Sequence, residues 1–172
     1  MDRSFDYSRE AGGEALGARL RRLSERIDRE ATQVYVAQNV DFEQRWHGLL
    51  NQLILNGPMS IGQIAAALRI THVSVSQASR SLEAAGIVSS SASPADARRR
   101  QLSLTSKGDD LVAQLSPMWR ALNEVAEELN AEAGDVVQVL NRLDDALDRK
   151  SLFDRVADKL APAGSGDFLT KM

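Results

Sequence analysis

Apolar residues recur every three or four positions in two long parts of the chain, on either side of its middle. Between positions 16 and 39 the pattern is formed by Leu16, Leu20, Leu23, Ile27, Ala31, Val34 and Tyr35. This spacing predicts an amphipathic helix with one buried face. It also predicts a long helix from Ser106 to about Asn130 and another from Asp135 to about Leu160, whose period slips between Leu147 and Leu152.

Three shorter helices are predicted in the middle of the chain. The first covers Asp41 to Leu55 and ends at a Gly-Pro turn, because proline cannot continue a helix. The second begins at Ser60, which forms a capping-box pattern with Gln63. The third runs from His72 to Ala85, and its free N-terminal backbone N–H groups can be capped by Thr71.

A basic hairpin is predicted directly after these helices. Ile87–Val88 and Leu102–Leu104 pattern as short strands, and the Ser-, Ala- and Pro-containing segment 89–97 patterns as the turn between them. Two short helices joined by a turn, beside such a hairpin, can place one helix in a DNA major groove and an arginine near the backbone or minor groove.

The distribution of charge supports a DNA-facing region in an otherwise acidic chain. The formal net charge is −3, yet residues 69–107 carry six basic and two acidic side chains, whereas residues 109–159 carry twelve acidic and six basic ones. The local balance is therefore +4 and then −6. Random scatter of surface charge is the alternative, but the basic cluster coincides with the hairpin.

Composition argues against several other classes of protein. The chain has no cysteine and two histidines, so disulfides, thiolate metal sites and a dedicated zinc site are not expected. No paired carboxylates, nucleophilic triad or phosphate-binding glycine loop stands out, and we expect neither an enzyme nor a cofactor. No apolar run approaches membrane-spanning length and no signal-peptide core is present, so a cytoplasmic location is expected.

The polar face of the third short helix supplies candidate DNA contacts. These are Thr71, His72, Ser74, Ser76, Gln77 and Arg80. Gln77 can form a bidentate pair with adenine, hydroxyl groups can bind bases or phosphates, and Arg80 suits a phosphate or a guanine. A solvated helix face is the alternative for each residue taken singly.

These segments resemble the winged helix-turn-helix of the multiple-antibiotic-resistance regulator (MarR) family. The resemblance is carried by GPMSIGQIAAAL, by VSVSQASRSLEAAGIV and by the wing motif DARRRQLSLTSKG from Asp96 to Gly108. Two positions depart from the family pattern. Arg69 occupies the turn where glycine is frequent, and Ala78 with Ser79 replaces bulkier apolar residues, so that thin packing is expected behind the recognition helix.

The resemblance assigns roles to the wing. Arg98 matches the family's wing arginine that reaches the minor groove, and Asp96 would orient it through a charge-assisted hydrogen bond. Arg99 and Arg100 lie on opposite faces of a regular strand, so only one of them can share the direction of Arg98. Arg99 is a further candidate contact, and which of the two arginines shares the contact with Arg98 stays open. An exposed charged edge that prevents strand pairing is the alternative.

The resemblance also suggests a pocket for a small aromatic or acidic effector, between dimerisation helices and DNA-binding lobe. Its candidate residues are Tyr35, Trp46, His47 and Trp119. Core packing of Trp46, with His47 exposed or capped, is the alternative, since apolar residues at helical spacing mostly form core.

Together these observations predict a mainly α fold. A flexible tail (1–14) precedes a dimerisation helix (15–40), a winged helix-turn-helix lobe with a two-stranded wing (41–107), C-terminal dimerisation helices (108–161) and a second tail (162–172). The long apolar stripes exceed what one small lobe can bury, which predicts a homodimer. The expected function is a DNA-binding transcriptional regulator, a repressor of a pseudo-palindromic operator released by an effector. The alternative is a protein-interaction module that kept the fold and lost DNA binding.

Overall fold

A computed structural model describes residues 6–93 and 96–161, with the backbone alone at 93 and 96–99. The described chain is mainly helical and contains one antiparallel hairpin. In chain order the elements are α1 (Tyr7–Glu10), α2 (Leu16–Ala37), α3 (His47–Asn56), α4 (Ile61–Leu68), α5 (His72–Ala84), β1 (Val88–Ser93), β2 (Asp96–Leu104), α6 (Ser106–Glu132), α7 (Val136–Arg149) and α8 (Leu152–Leu160). The predicted fold class, a winged helix-turn-helix between long helices, is confirmed.

The hairpin is longer than the sequence predicted. Residues 88–93 pair with residues 96–104 from Val88↔Leu104 to Ala92↔Arg100, and the register shifts between Ala92 and Ser93. The prediction of a turn over 89–97 was therefore wrong for most of that segment. Serine and alanine favour strands weakly, and it is cross-strand pairing that holds this segment extended.

The first of the short middle helices begins later than expected. Glu43 has an extended backbone, residues 44–46 form a 3-10 turn, and α3 starts at His47 rather than at Asp41. Phe42 explains the difference, because its buried ring makes edge-to-face contacts with Tyr35 and Trp46 at centroid distances of 4.7 and 5.8 Å. Tertiary packing here overrides a helical pattern.

Both ends of the described chain differ in detail from the sequence expectation. Residues 6–15, most of which were expected in a flexible tail, form α1 and a 3-10 turn, and Asp6 pairs with Arg22 of α2 at 2.9 Å. The slip in the C-terminal period is a break, at which Lys150 is extended and Ser151 caps α8 through the N–H of Asp154. The expected tail at 162–172 lies outside the described residues.

The chain divides into two compact units, up to residue 122 and from residue 123. In the first unit, α2, α3, α4, α5, both strands and α6 contribute to one apolar core, whose most buried members are Tyr35, Leu49, Leu50, Ile64, Leu82 and Leu115. In the second unit, Asp135 caps α7 and Asn130 accepts a hydrogen bond from the N–H of Val137 at 2.9 Å.

The junction of the wing with α6 is tightly packed. The Thr105 hydroxyl donates to the carbonyl of Gly86 at 2.7 Å, and its oxygen accepts from the N–H of Gly108 at 3.1 Å. The Thr105 N–H donates to the carbonyl of Ile87 at 3.0 Å. A β-carbon on Gly108 would lie 2.2 Å from that same carbonyl oxygen, so only glycine permits this approach.

Candidate nucleic-acid interface

Side-chain caps fix the start of both helices of the helix-turn-helix, as the sequence predicted. Ser60 accepts from the N–H of Gln63, and the Gln63 side chain accepts from the N–H of Ser60, which completes the capping box. Thr71 accepts from the N–H of Ser74 at 3.1 Å. Each cap stabilises its helix by about 1 kcal/mol, and the cap at Thr71 defines where α5 begins.

The turn between the two helices is closed by a residue in the left-handed region. Arg69 has φ 52° and ψ 38°, and the next residue, Ile70, donates its N–H to the carbonyl of Ala65. This conformation explains why glycine suits the position. Arginine adopts it here at the cost of backbone strain.

One side of α5 is buried and the opposite side is open. The buried positions are Val75, Ala78, Ser79 and Leu82. With 100° of rotation per residue, the direction furthest from them is shared by Val73, Gln77 and Arg80, all of which are exposed. The structure therefore brings two predicted contact residues, Gln77 and Arg80, onto the outermost stripe of the helix.

Val73 was not among the predicted contacts, although it lies on this stripe. Its side chain is 66 % exposed. The sequence did contain the signal, because Val73 falls out of phase with the buried positions that begin at Val75. All the predicted contacts have hydrogen-bonding side chains, and valine has none.

The other predicted contacts on the helix lie around this stripe. Thr71 and Ser74 are exposed, but their hydroxyl oxygens lie 2.9 Å apart and bond to each other. His72 is exposed and packs close to α4, where a β-carbon on Gly62 would lie 3.3 Å from its Cε1. Ser76 is half-buried.

An open cleft of about 820 Å³ lies between α4, α5 and the wing. Ser76, Ser79 and Arg80 line it from α5, and Ser90 and Arg100 line it from the hairpin. The small side chains at Ser76 and Ser79 leave this space unfilled, in keeping with the thin packing that the sequence indicated.

Within the wing, one arginine has described contacts. Arg100 donates from Nε to the hydroxyl of Ser90 at 2.8 Å and from Nη2 to the carbonyl of Ser90 at 2.7 Å. The side chains of Asp96, Arg98 and Arg99 lie outside the described residues, so the predicted wing contacts stay predictions.

Four aromatic side chains and the His47 ring form a cluster between the end of α2, the start of α3 and the middle of α6. Phe42 contacts Trp119 as well as Tyr35 and Trp46, and His47 stacks edge-to-face on Trp119 at 5.1 Å. Trp46 is buried, and its indole N–H donates to the hydroxyl of Ser81. This placement matches the core-packing alternative for Trp46.

The aromatic cluster also contains buried polar groups. The Nε1 of Trp119 is buried without a well-formed hydrogen bond among the described residues. Burial raises the pKa of Tyr35, and the nearby indole N–H of Trp119 partly opposes that rise. Burial also lowers the pKa of His47, which favours its neutral form. A smaller cleft of about 330 Å³ reaches Trp46, but its lining does not include Tyr35, His47 or Trp119.

In the part of the chain that the structure describes, no group of three or more His, Cys, Asp or Glu side chains is placed to hold a metal ion. No helix in it is long and apolar enough to cross a membrane.

Several solved structures share this fold. The Bordetella bronchiseptica regulator BpsR, described for its regulation of DNA binding by 6-hydroxynicotinic acid, is 22 % identical with a TM-score of 0.63, and the match covers 82 % of this chain and 97 % of BpsR. Staphylococcus aureus MepR, solved in complex with DNA, is 21 % identical with a TM-score of 0.63, and the match covers 84 % of this chain and 100 % of MepR. A MarR family transcriptional regulator from Silicibacter pomeroyi is 25 % identical with a TM-score of 0.54, and the match covers 76 % and 86 % of the two chains.

Sequence comparison identifies the same relationship over the lobe. No curated protein sequence matches the chain. The MarR family model matches residues 40–99, which span α3, α4, α5 and most of the hairpin. The structural neighbours include MarR family transcriptional regulators. The resemblance of this chain to the MarR family is thus confirmed, with residues 40–99 as the segment that carries it.

Proposed function

We propose that this protein is a sequence-specific DNA-binding transcriptional regulator that acts as a homodimer. The observation that carries the proposal is the open outer stripe of α5, where Gln77 and Arg80 are exposed opposite the buried positions. A recognition helix needs such a free face, with an amide that can pair with adenine and a guanidinium that can reach a phosphate or guanine. Thr71, His72, Ser74 and Ser76 would add contacts around it.

The wing would hold the adjacent minor groove. In this proposal Arg98 enters the groove and Asp96 orients it. We propose Arg99 for the second contact, although regular alternation would put Arg100 on the face of Arg98. Ser90 already binds the guanidinium of Arg100, and the register shift between Ala92 and Ser93 interrupts regular pairing between Asp96 and Arg100. MepR, which shares this fold, was solved bound to DNA.

Dimerisation is supported by apolar residues that remain exposed. On α2, Leu16, Leu20, Leu23 and Ile27 are between 38 % and 62 % exposed, although they form the predicted inner stripe of that helix. In the second unit, α7 and α8 also carry exposed apolar side chains. A second copy that covered these stripes would bring two recognition helices about one DNA turn apart, which suits a pseudo-palindromic operator.

Regulation by a small aromatic or acidic molecule is part of the proposal. The indole N–H of Trp119 is a buried donor that a ligand's oxygen could satisfy, and His47 stacks on the same ring. Tyr35 and Trp46 would complete the proposed effector pocket. BpsR, of similar fold, has DNA binding regulated by 6-hydroxynicotinic acid. On this hypothesis the protein is a repressor that its effector releases from DNA, without enzymatic activity or cofactor.

Fluorescence anisotropy against the intergenic DNA upstream of the protein's own gene tests DNA binding. We expect tight binding that weakens steeply with salt, and Arg98→Ala should reduce the slope of log K against log salt by about 1. Gln77→Ala should change sequence preference by about 1–3 kcal/mol at one base pair. Arg120→Ala, which removes an exposed arginine of α6 outside the proposed surface, is the matched control and should leave binding unchanged.

Two results would contradict the proposed function. If the wild type binds DNA no better than Arg98→Ala at low salt, the regulator hypothesis is wrong and a protein-interaction module becomes the better account of this acidic chain. Light scattering after size exclusion tests the dimer, and a monomeric wild type would contradict the assignment of the exposed stripes.

A further inference from the structure

We propose that Val73 reads a thymine in each half-site by contacting its 5-methyl group, an inference that rests on the DNA binding proposed above. Val73 is the second residue of α5 and 66 % of its side chain is exposed. It lies in the outermost direction of the helix together with Gln77 and Arg80, directly opposite the buried stripe. If α5 inserts Gln77 into the major groove, it also inserts the two methyl groups of Val73.

The chemistry of valine restricts what it can recognise there. The side chain has no donor or acceptor, so it cannot read the hydrogen-bonding edge of a base. In the major groove the 5-methyl of thymine is the apolar group that a base edge presents. Valine in a helix also holds one strongly preferred rotamer, so its contact surface loses little entropy on binding.

The position relative to Gln77 predicts where the thymine lies. Residues four apart on a helix are neighbours, with β-carbons about 5–6 Å apart. Base pairs are stacked about 3.4 Å apart along each strand. The thymine should therefore lie one or two base pairs from the position whose preference changes in Gln77→Ala.

The experiment uses a DNA that differs by the methyl group alone. The probe is the duplex that the full-length wild type selects from a random library of about 30 base pairs, roughly three helical turns. It is resynthesised with deoxyuridine in place of thymine, one position at a time, which leaves Watson–Crick pairing intact. Affinities are measured for wild type, Val73→Ala, Val73→Thr and Val36→Ala. Val36, on α2, is similarly exposed and serves as the control for loss of a surface valine.

For wild type and Val36→Ala we expect about a fourfold loss per half-site at one thymine, as for removal of one buried methyl group. Val73→Ala should lose that discrimination and bind both duplexes equally. Val73→Thr keeps the branched shape and should retain part of it. Because the readout is a ratio between two duplexes for the same protein, changes in folding or dimerisation cancel.

Two failures are distinguishable. If no duplex is selected and binding is absent at low salt, the proposed DNA-binding function is wrong. If a duplex is selected but no thymine-to-deoxyuridine change is felt by wild type, or if Val73→Ala feels it equally, then Val73 is an ordinary surface valine and this inference is overturned.

Discussion

Replacing Gly108 by alanine should destabilise the protein, although Gly→Ala inside a helix normally stabilises. Gly108 is the third residue of α6, where alanine would gain up to about 1 kcal/mol in helix propensity. The added β-carbon, however, would lie 2.2 Å from the carbonyl oxygen of Ile87 and 3.2 Å from Cδ2 of Leu104. The helix start and the wing base would have to separate by about 1 Å to restore a normal contact.

The magnitude follows from what that movement disrupts. Overpacking a filled site costs about 1–3 kcal/mol. The carbonyl of Ile87 also accepts from the N–H and the hydroxyl of Thr105 at 3.0 and 3.2 Å, and each bond contributes about 1 kcal/mol. The gain in helix propensity offsets part of this cost, so we expect the free energy of unfolding to fall by about 2–4 kcal/mol.

Urea and thermal unfolding measure this loss. For a chain of this size each kcal/mol corresponds to about 2–4 °C, so the midpoint should fall by roughly 4–16 °C at equal protein concentration. Gly17→Ala is the matched control. It lies in α2 with no atom within 4 Å of the added β-carbon, and should be neutral or slightly stabilising. A Gly108→Ala protein as stable as the wild type would refute the reasoning.

Three further predictions concern stability. Arg69→Gly should be about 1 kcal/mol more stable than Arg69→Ala in thermal unfolding, because both lack the long side chain and glycine alone adopts φ 52° without strain; equal stabilities would contradict it. Ser81→Ala should cost about 1–2 kcal/mol in urea unfolding, since its hydroxyl accepts from the indole of Trp46, whereas Ser89→Ala at an exposed hydroxyl should change stability by under about 0.5 kcal/mol. Burial lowers the pKa of His47, so the unfolded chain binds more protons and stability should fall as pH drops below about 6.5. His47→Phe should reduce that fall in urea titrations at pH 7 and 5. An equal difference in stability between the two pH values for wild type and variant would contradict this prediction.

The sequence predicted those parts of the fold whose causes are local. Residues close in sequence determine the caps at Ser60 and Thr71 and the apolar period of α5. Each of these features was found where expected. The start of α3 was missed, because Phe42 is drawn into an aromatic cluster with rings distant in sequence. The length of the wing was missed for a related reason, since pairing across the hairpin holds Ser89 to Ala92 in a strand.

The candidate site was predictable to a similar extent. Helical period alone places Gln77 and Arg80 on the open face, and the same period would have found Val73. No sequence pattern could show that Thr71 and Ser74 bond to each other, or that Arg100 reaches across the hairpin to Ser90. These contacts depend on rotamers and on strand register, which are set by the folded neighbourhood.

The hydrogen bonds of Thr105 have a mechanical consequence. This single residue joins the end of β2, the carbonyls that follow α5 and the first turn of α6, and glycine at position 108 removes the last gap between them. These contacts tie the first turn of α6 to the backbone that leads into β1. We therefore expect a rotation of that turn to move the base of the wing with it.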